Sequence, residues 1–164
     1  MSLSRDTVVV LCTANVCRSP MGEALLRHAL AAEPPPLKNL LVTSAGVSAY
    51  TGDTVTSNSV AALRKVGLNI ASHRSRSFNP EMAQRAVAIY TMTPGHRDLL
   101  CDRFPELVER TFLFRQFIRH GDPTIPDPYG LDFVDYELTR DSMVEAIPSL
   151  LDHLRQLVQS PPPA

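Results

Sequence analysis

The sequence predicts an α/β fold: a single-domain, three-layer sandwich in which a four-stranded parallel sheet carries helices on both faces. Three observations lead there. Short apolar runs rich in β-branched residues alternate with longer stretches of helical period. The chain has 164 residues and 44% hydrophobic side chains, enough for one domain with a full core, and no internal repeat divides it. The first apolar run passes through a short turn into Ser19-Pro20, a helix start, and that βα join is the unit such sheets are built from.

Taken in order, Val8–Leu11 reads as the first strand. Ser19 as N-cap opens a helix to about Ala32, with Met21, Ala24, Leu25, Ala29 and Ala32 on one face. Pro34-Pro35-Pro36 stops it and forms a stiff linker. Leu40–Thr43 is the second strand, and Ser44-Ala45-Gly46 leads out of it into a polar loop, residues 47–54, that carries Tyr50 and Gly52. Thr56 or Ser57 caps a second helix with Val60, Leu63 and Val66 inward and Gly67 as its stop. Ile70–Ser77 is a basic connection holding His73, Arg74 and Arg76, and Asn79-Pro80 starts a short helix. Ala86–Tyr90 is the third strand, Pro94 begins a helix that turns Leu99, Leu100 and Cys101 inward, and Thr111–Phe114 is the fourth strand. A Pro/Gly/Asp loop spans 121–130. A long helix follows over Phe133–Gln159, with Met143, Ile147, Leu150, Leu151, Leu154 and Val158 on one face and Pro148 placed to kink or split it. Residues 160–164 read as a frayed tail of the same domain, 1–164.

Ligands of parallel sheets bind beyond the C-terminal ends of the strands, and Cys12 falls there. Residues 8–20 read Val-Val-Val-Leu-Cys-Thr-Ala-Asn-Val-Cys-Arg-Ser-Pro. A strand that turns at once into a helix N-terminus gathers backbone N–H groups around one point, a nest for an anion. The same positive field, with an arginine beside it, favours the thiolate form of a cysteine, which is the nucleophile. Arg18 offers a planar fork for two oxygens of a phosphate. The loop of Thr13, Ala14, Asn15, Val16, Cys17, Arg18 and Ser19 therefore predicts phosphoryl transfer to the sulfur of Cys12. The leaving oxygen then needs a proton and the thiophosphate needs an activated water, and one carboxylate serves both in turn. Asp127, between Pro126 and Pro128, is the candidate, with Asp122 and Asp132 as alternatives in the same region.

Cys-Thr-Ala-Asn-Val-Cys-Arg-Ser-Pro resembles the signature of the low-molecular-weight protein tyrosine phosphatases, and Asp127-Pro128-Tyr129 resembles the segment that carries their general acid. The resemblance covers nearly the whole chain. It implies the strand order 2-1-3-4, a phosphocysteine intermediate, hydrolysis of phosphotyrosine or other aryl phosphate monoesters, no cofactor or metal, and a monomer. It implies that Tyr50 and Tyr129 flank the substrate pocket, and that Asn15, Ser44 and His73 hold the loop in shape by side-chain hydrogen bonds. It implies that Ser19 donates to the Cys12 sulfur, and that Cys17 pairs with Cys12 under oxidants, sparing it over-oxidation. Ala14 departs from the usual glycine, Thr93 from an aspartate in some members and Gly130 from a second tyrosine of eukaryotic members, which places the chain nearer the bacterial type.

A bacterial subgroup acts on phosphoarginine through the same site. Ser44–Val47, Tyr90–Thr93 and Thr139–Asp141 resemble it, yet its members carry threonine where this chain has Val16, so phosphotyrosine stays ahead. Arsenate reductases share the loop but need two relay cysteines, and only Cys101 lies outside it here. The net charge of −1 excludes a general nucleic-acid footprint, and no apolar run approaches membrane-spanning length. Three cysteines without framework or zinc spacing, and a polar Met1–Asp6 without a leader core, point to a reducing cytoplasm. The partner expected is a phosphorylated protein or a small aryl phosphate.

Overall fold

Strand and helix alternate as expected through residues 4–159, which the structure, a computed structural model, describes; the tail expected at 160–164 lies outside them. Four parallel strands, β1 (Thr7–Cys12), β2 (Leu41–Gly46), β3 (Ala86–Thr91) and β4 (Thr111–Leu113), lie in the order β2-β1-β3-β4. Among the described residues five helices join them: α1 (Arg18–Ala31), α2 (Ser57–Arg64), α3 (Pro80–Arg85), α4 (Pro94–Arg103) and α5 (Phe133–Gln159), with short 3-10 turns at Leu37–Asn39 and Pro105–Arg110. Side chains alternate across a strand, so β1 feeds two cores. Val8, Val10 and Cys12 join Met21, Leu63, Met143 and Leu150 under α1, α2 and α5. Val9 and Leu11 join Ala83, Ile89 and Leu100 under α3 and α4. All six residues of β1 are buried, as a central parallel strand requires.

The second strand runs further than the sequence predicts. Ser44-Ala45-Gly46 reads as an exit, but Val10, Leu11 and Cys12 pair with those three residues in register and keep them extended. Gly46 belongs there because a Cβ would run into the Thr13 carbonyl and the Ala14 backbone. Helix α1 buries Met21, Leu25, Leu26 and Leu30, whereas Ala32 is exposed beyond its end; the large leucines, not the alanines, set the buried stripe. Val66 and Leu99 are exposed rather than inward. Helix α2 ends before Val66 is reached, and His96 and Leu100 take the inner face of α4. Pro148 does not split α5, which runs unbroken for 27 residues. The carbonyl deprived of its partner is that of Val144, one turn back on the same exposed face, where water can take its place.

Candidate active site

Cys12 is the last residue of β1, and its side chain is buried under the loop that follows. Helix α1 begins at Arg18, with Cys17 at the cap position and no side-chain cap. Ser19 is thus not the N-cap expected from sequence; its hydroxyl is drawn inward instead. Ser19 Oγ accepts from Asn15 Nδ2 at 2.7 Å, so its single proton is left for Cys12 Sγ at 2.9 Å, ahead of the Ala45 carbonyl at 3.4 Å.

Asn15 is the hub of the loop. It is fully buried at φ 60°, a left-handed geometry that asparagine tolerates better than most residues. Its Nδ2 donates to Ser19 and to Ser44 Oγ at 3.0 Å. Its Oδ1 accepts from the Arg76 backbone N–H at 3.0 Å and from His73 Nε2 at 3.2 Å, and the same His73 nitrogen lies 3.1 Å from the Asn15 carbonyl. Both acceptors call for a proton on His73 Nε2. Burial lowers the pKa of His73, opposed by its bond to the Asn15 backbone. Asn15, Ser44, Ser19 and His73 thus form one hydrogen-bonded set.

Arg18 is buried to 4% exposure. Its Nη1 donates to the Ile125 carbonyl at 2.9 Å, and its Nη2 lies 3.6 Å from Asp127 Oδ2. Ile125, itself fully buried, donates its N–H to the Met92 carbonyl at the end of the sheet. Arg115 holds the same loop from below, reaching the Asp122 carbonyl and the Ser142 carbonyl on α5. The loop over 121–130 is anchored at two points, and the half-exposed Asp127 carboxylate is delivered to the mouth of the cysteine loop. Asp127 Oδ1 accepts the Tyr129 N–H. The Asp122 carboxylate is occupied by the Thr124 N–H, and among the described residues neither it nor Asp132 pairs with Arg18.

Tyr50 and Tyr129 stand on the surface at 80% and 67% exposure; no ring–ring contact joins them. Thr13 and Ala14 reach the surface or near it, while Val16 is half-buried and its carbonyl accepts the Thr56 N–H. Cys17 turns inward, its Sγ 3.6 Å from Thr56 Oγ1 and 3.9 Å from the Tyr136 hydroxyl. Burial pushes the Cys17 thiol up, and pushes Tyr136 up to about 12. The far end of the loop is therefore clamped by α2 and α5. The basic stretch Arg74–Arg76 lies elsewhere, on a groove of about 850 Å³ along the outer edge of β2 that meets the loop through His73.

Sequence reading missed Tyr136, Thr56 and above all His96, whose Nε2 lies 2.8 Å from Thr13 Oγ1. The available signal was position: His96 sits in the first turn after β3, at the same C-terminal edge of the sheet as Cys12. Among the described residues no group of three or more His, Cys, Asp or Glu side chains is arranged to hold a metal ion, and no helix is long and apolar enough to cross a membrane.

Comparison with known proteins follows the same lines. The family profile described as "Low molecular weight phosphotyrosine protein phosphatase" matches residues 7–160. A protein-arginine-phosphatase of Geobacillus stearothermophilus is 35% identical over 148 residues, 90% of this chain and 95% of that protein. The low molecular weight protein-tyrosine-phosphatase Etp of Escherichia coli K12 is 33% identical over 127 residues, 77% of this chain and 80% of that protein. The crystal structure of the tyrosine phosphatase AmsI of Erwinia amylovora superposes with a TM-score of 0.80 at 26% identity, covering 90% of this chain and 92% of that one.

Proposed function

The chain belongs to the low-molecular-weight phosphotyrosine protein phosphatase family, and on that footing we propose that it hydrolyses aryl phosphate monoesters, phosphotyrosine above all, through a phosphocysteine at Cys12. The observation that carries this reading is the meeting of three groups from two distant segments. Cys12 lies under a loop that ends in Arg18, and Arg18 Nη2 lies 3.6 Å from the Asp127 carboxylate.

In this mechanism the phosphate oxygens rest on the backbone N–H groups of residues 13–18 and on Arg18. The Cys12 sulfur attacks phosphorus in line as the bond to the leaving oxygen breaks, and Asp127 gives that oxygen its proton. Asp127, now a carboxylate, takes a proton from water; the water oxygen bonds to phosphorus, the S–P bond breaks, and phosphate leaves with Cys12 restored. The Ser19 hydroxyl, 2.9 Å from the sulfur, stabilises the charge that returns to it. Tyr50 and Tyr129 form the walls for an aromatic leaving group. The whole of 1–164 acts as one domain, as a monomer in a reducing cytoplasm, with Cys17 as the thiol that rescues an oxidised Cys12.

A second reading keeps the site and changes the substrate. The Geobacillus relative is named for phosphoarginine, at 35% identity over nearly its full length. Against it stands Val16, apolar and half-buried in the loop, where a hydroxyl would suit the polar guanidinium leaving group better. Hydrolysis of a phosphotyrosine peptide and of a phosphoarginine peptide, measured side by side with Cys12→Ser as control, separates the two. Preference for phosphotyrosine, lost in the control, is expected. Preference for phosphoarginine, equally lost, keeps the mechanism and overturns the substrate.

A further inference from the structure

His96 is the third residue of α4, after the N-cap Thr93, and it is buried to 6% exposure. Its Nε2 lies 2.8 Å from the Thr13 hydroxyl, and its Nδ1 is buried without a hydrogen-bond partner among the described residues. Burial and the nearby charge of Arg18 push its pKa down to about 4, against the pull of Asp127, so the ring is neutral in ordinary buffers. A neutral imidazole carries one proton. On Nδ1 that proton would be a buried donor with nothing to receive it; on Nε2 it leaves only an unpaired lone pair, the smaller defect. Nε2–H is therefore the donor and Thr13 Oγ1 the acceptor.

The Thr13 hydroxyl proton is not used by His96, and no other side-chain hydrogen bond in the described residues takes it. Thr13 directly follows Cys12 and is exposed at the loop, while its carbonyl is fixed by the Ser48 N–H at 2.9 Å. We propose that His96 is a positioning residue for the phosphatase reaction: by holding Thr13 Oγ1 as an acceptor, it turns the Thr13 O–H towards an oxygen of the phosphate group in the loop. The proposal rests on the phosphatase reading above. It makes Thr13 a side-chain donor to phosphorus-bound oxygen, in addition to the backbone cradle and Arg18, and makes α4 a supporting wall of the loop.

The test measures binding of orthovanadate by calorimetry and hydrolysis of p-nitrophenyl phosphate, on the full chain. Thr13→Val and His96→Leu should each weaken vanadate binding and lower kcat/KM by about tenfold, the effect of one hydrogen bond to a charged acceptor. The double variant should be no worse than either single one, because both remove the same bond. Thr13→Ser, and His96→Gln whose amide reaches the same hydroxyl, should stay within about threefold of wild type. If His96→Leu does not fold, His96→Asn replaces it, being too short to reach Thr13. Singles within about twofold of wild type, or a double variant that multiplies the two losses, overturn the proposal. A wild-type chain that turns over no aryl phosphate overturns the phosphatase reading instead, and the vanadate constants judge the Thr13–His96 pair on their own.

Discussion

Asn15 shows most clearly how one residue holds this site. Its amide and carbonyl engage Ser19, Ser44, His73 and the Arg76 backbone, and through Ser19 it orients the group nearest the Cys12 sulfur. Asn15→Ala removes these bonds at once, leaves buried hydroxyls unpaired and puts a Cβ without compensation at φ 60°. It should destabilise the chain by about 2–4 kcal/mol in urea unfolding and lower kcat/KM by roughly a hundredfold. Asn15→Gly relieves only the backbone strain and should recover a small part; full activity in Asn15→Ala would refute the role. Cys12 and Arg18 are legible because their spacing and flanking residues suggest a chemistry, whereas Asp127 in its Pro-Asp-Pro turn gains weight mainly from the family likeness. Asn15 and its partners were legible only through the family likeness. His96 carries only a positional signal, its place in the first turn after β3; it meets Thr13 across 83 residues, and no local motif marks it as a partner of that loop.

Among the elements, α5 spans the range its apolar period predicts, but the split expected at Pro148 does not occur, since a proline on an exposed face does not end a helix that packing holds. The ends of β2 and the inner faces of α1, α2 and α4 were less well read. Small residues at 44–46 look like an exit until β1 lies beside them, and a single leucine such as Leu99 does not declare which way its short helix faces. Helix α5 also carries a pH-sensitive contact. His153 stacks on Phe117, with centroids 4.1 Å apart, and its Nδ1 lies 2.7 Å from the buried Tyr90 hydroxyl of β3. Burial pushes its pKa down to about 4. Well above pH 6.5 the ring is neutral folded or unfolded. As pH falls from there towards 4, the unfolded chain takes up a proton that the folded chain refuses, so stability falls, by up to about 3 kcal/mol from this group. His73 and His96, also shifted down, act in the same direction. His153→Gln keeps a partner for Tyr90 without the titration. Its urea midpoint should therefore drop less than that of wild type between pH 7 and pH 4.5; an equal drop would refute the assignment.

On the scale of the molecule, two cores on either side of one parallel sheet fix the positions of three loops at its C-terminal edge. The loop after β1 brings Cys12 and Arg18, the turn after β3 brings His96, and the segment after β4 brings Asp127, pinned through Ile125 and Arg115. The fold class was legible because strands alternate with helices along the chain, whereas the strand order came only with the family likeness. How the late loop docks on the early one was not, because it depends on Arg18 reaching a backbone carbonyl 107 residues away. In the proposed mechanism the phosphate passes covalently through the sulfur of Cys12. Rapid acid quench with a radiolabelled aryl phosphate, followed by peptide mapping, tests it most directly. The prediction is label on the Cys12 peptide, approaching one phosphate per chain when hydrolysis of the intermediate is slowed by Asp127→Ala, and none in Cys12→Ala. Steady release of phosphate with no label on Cys12 would contradict it.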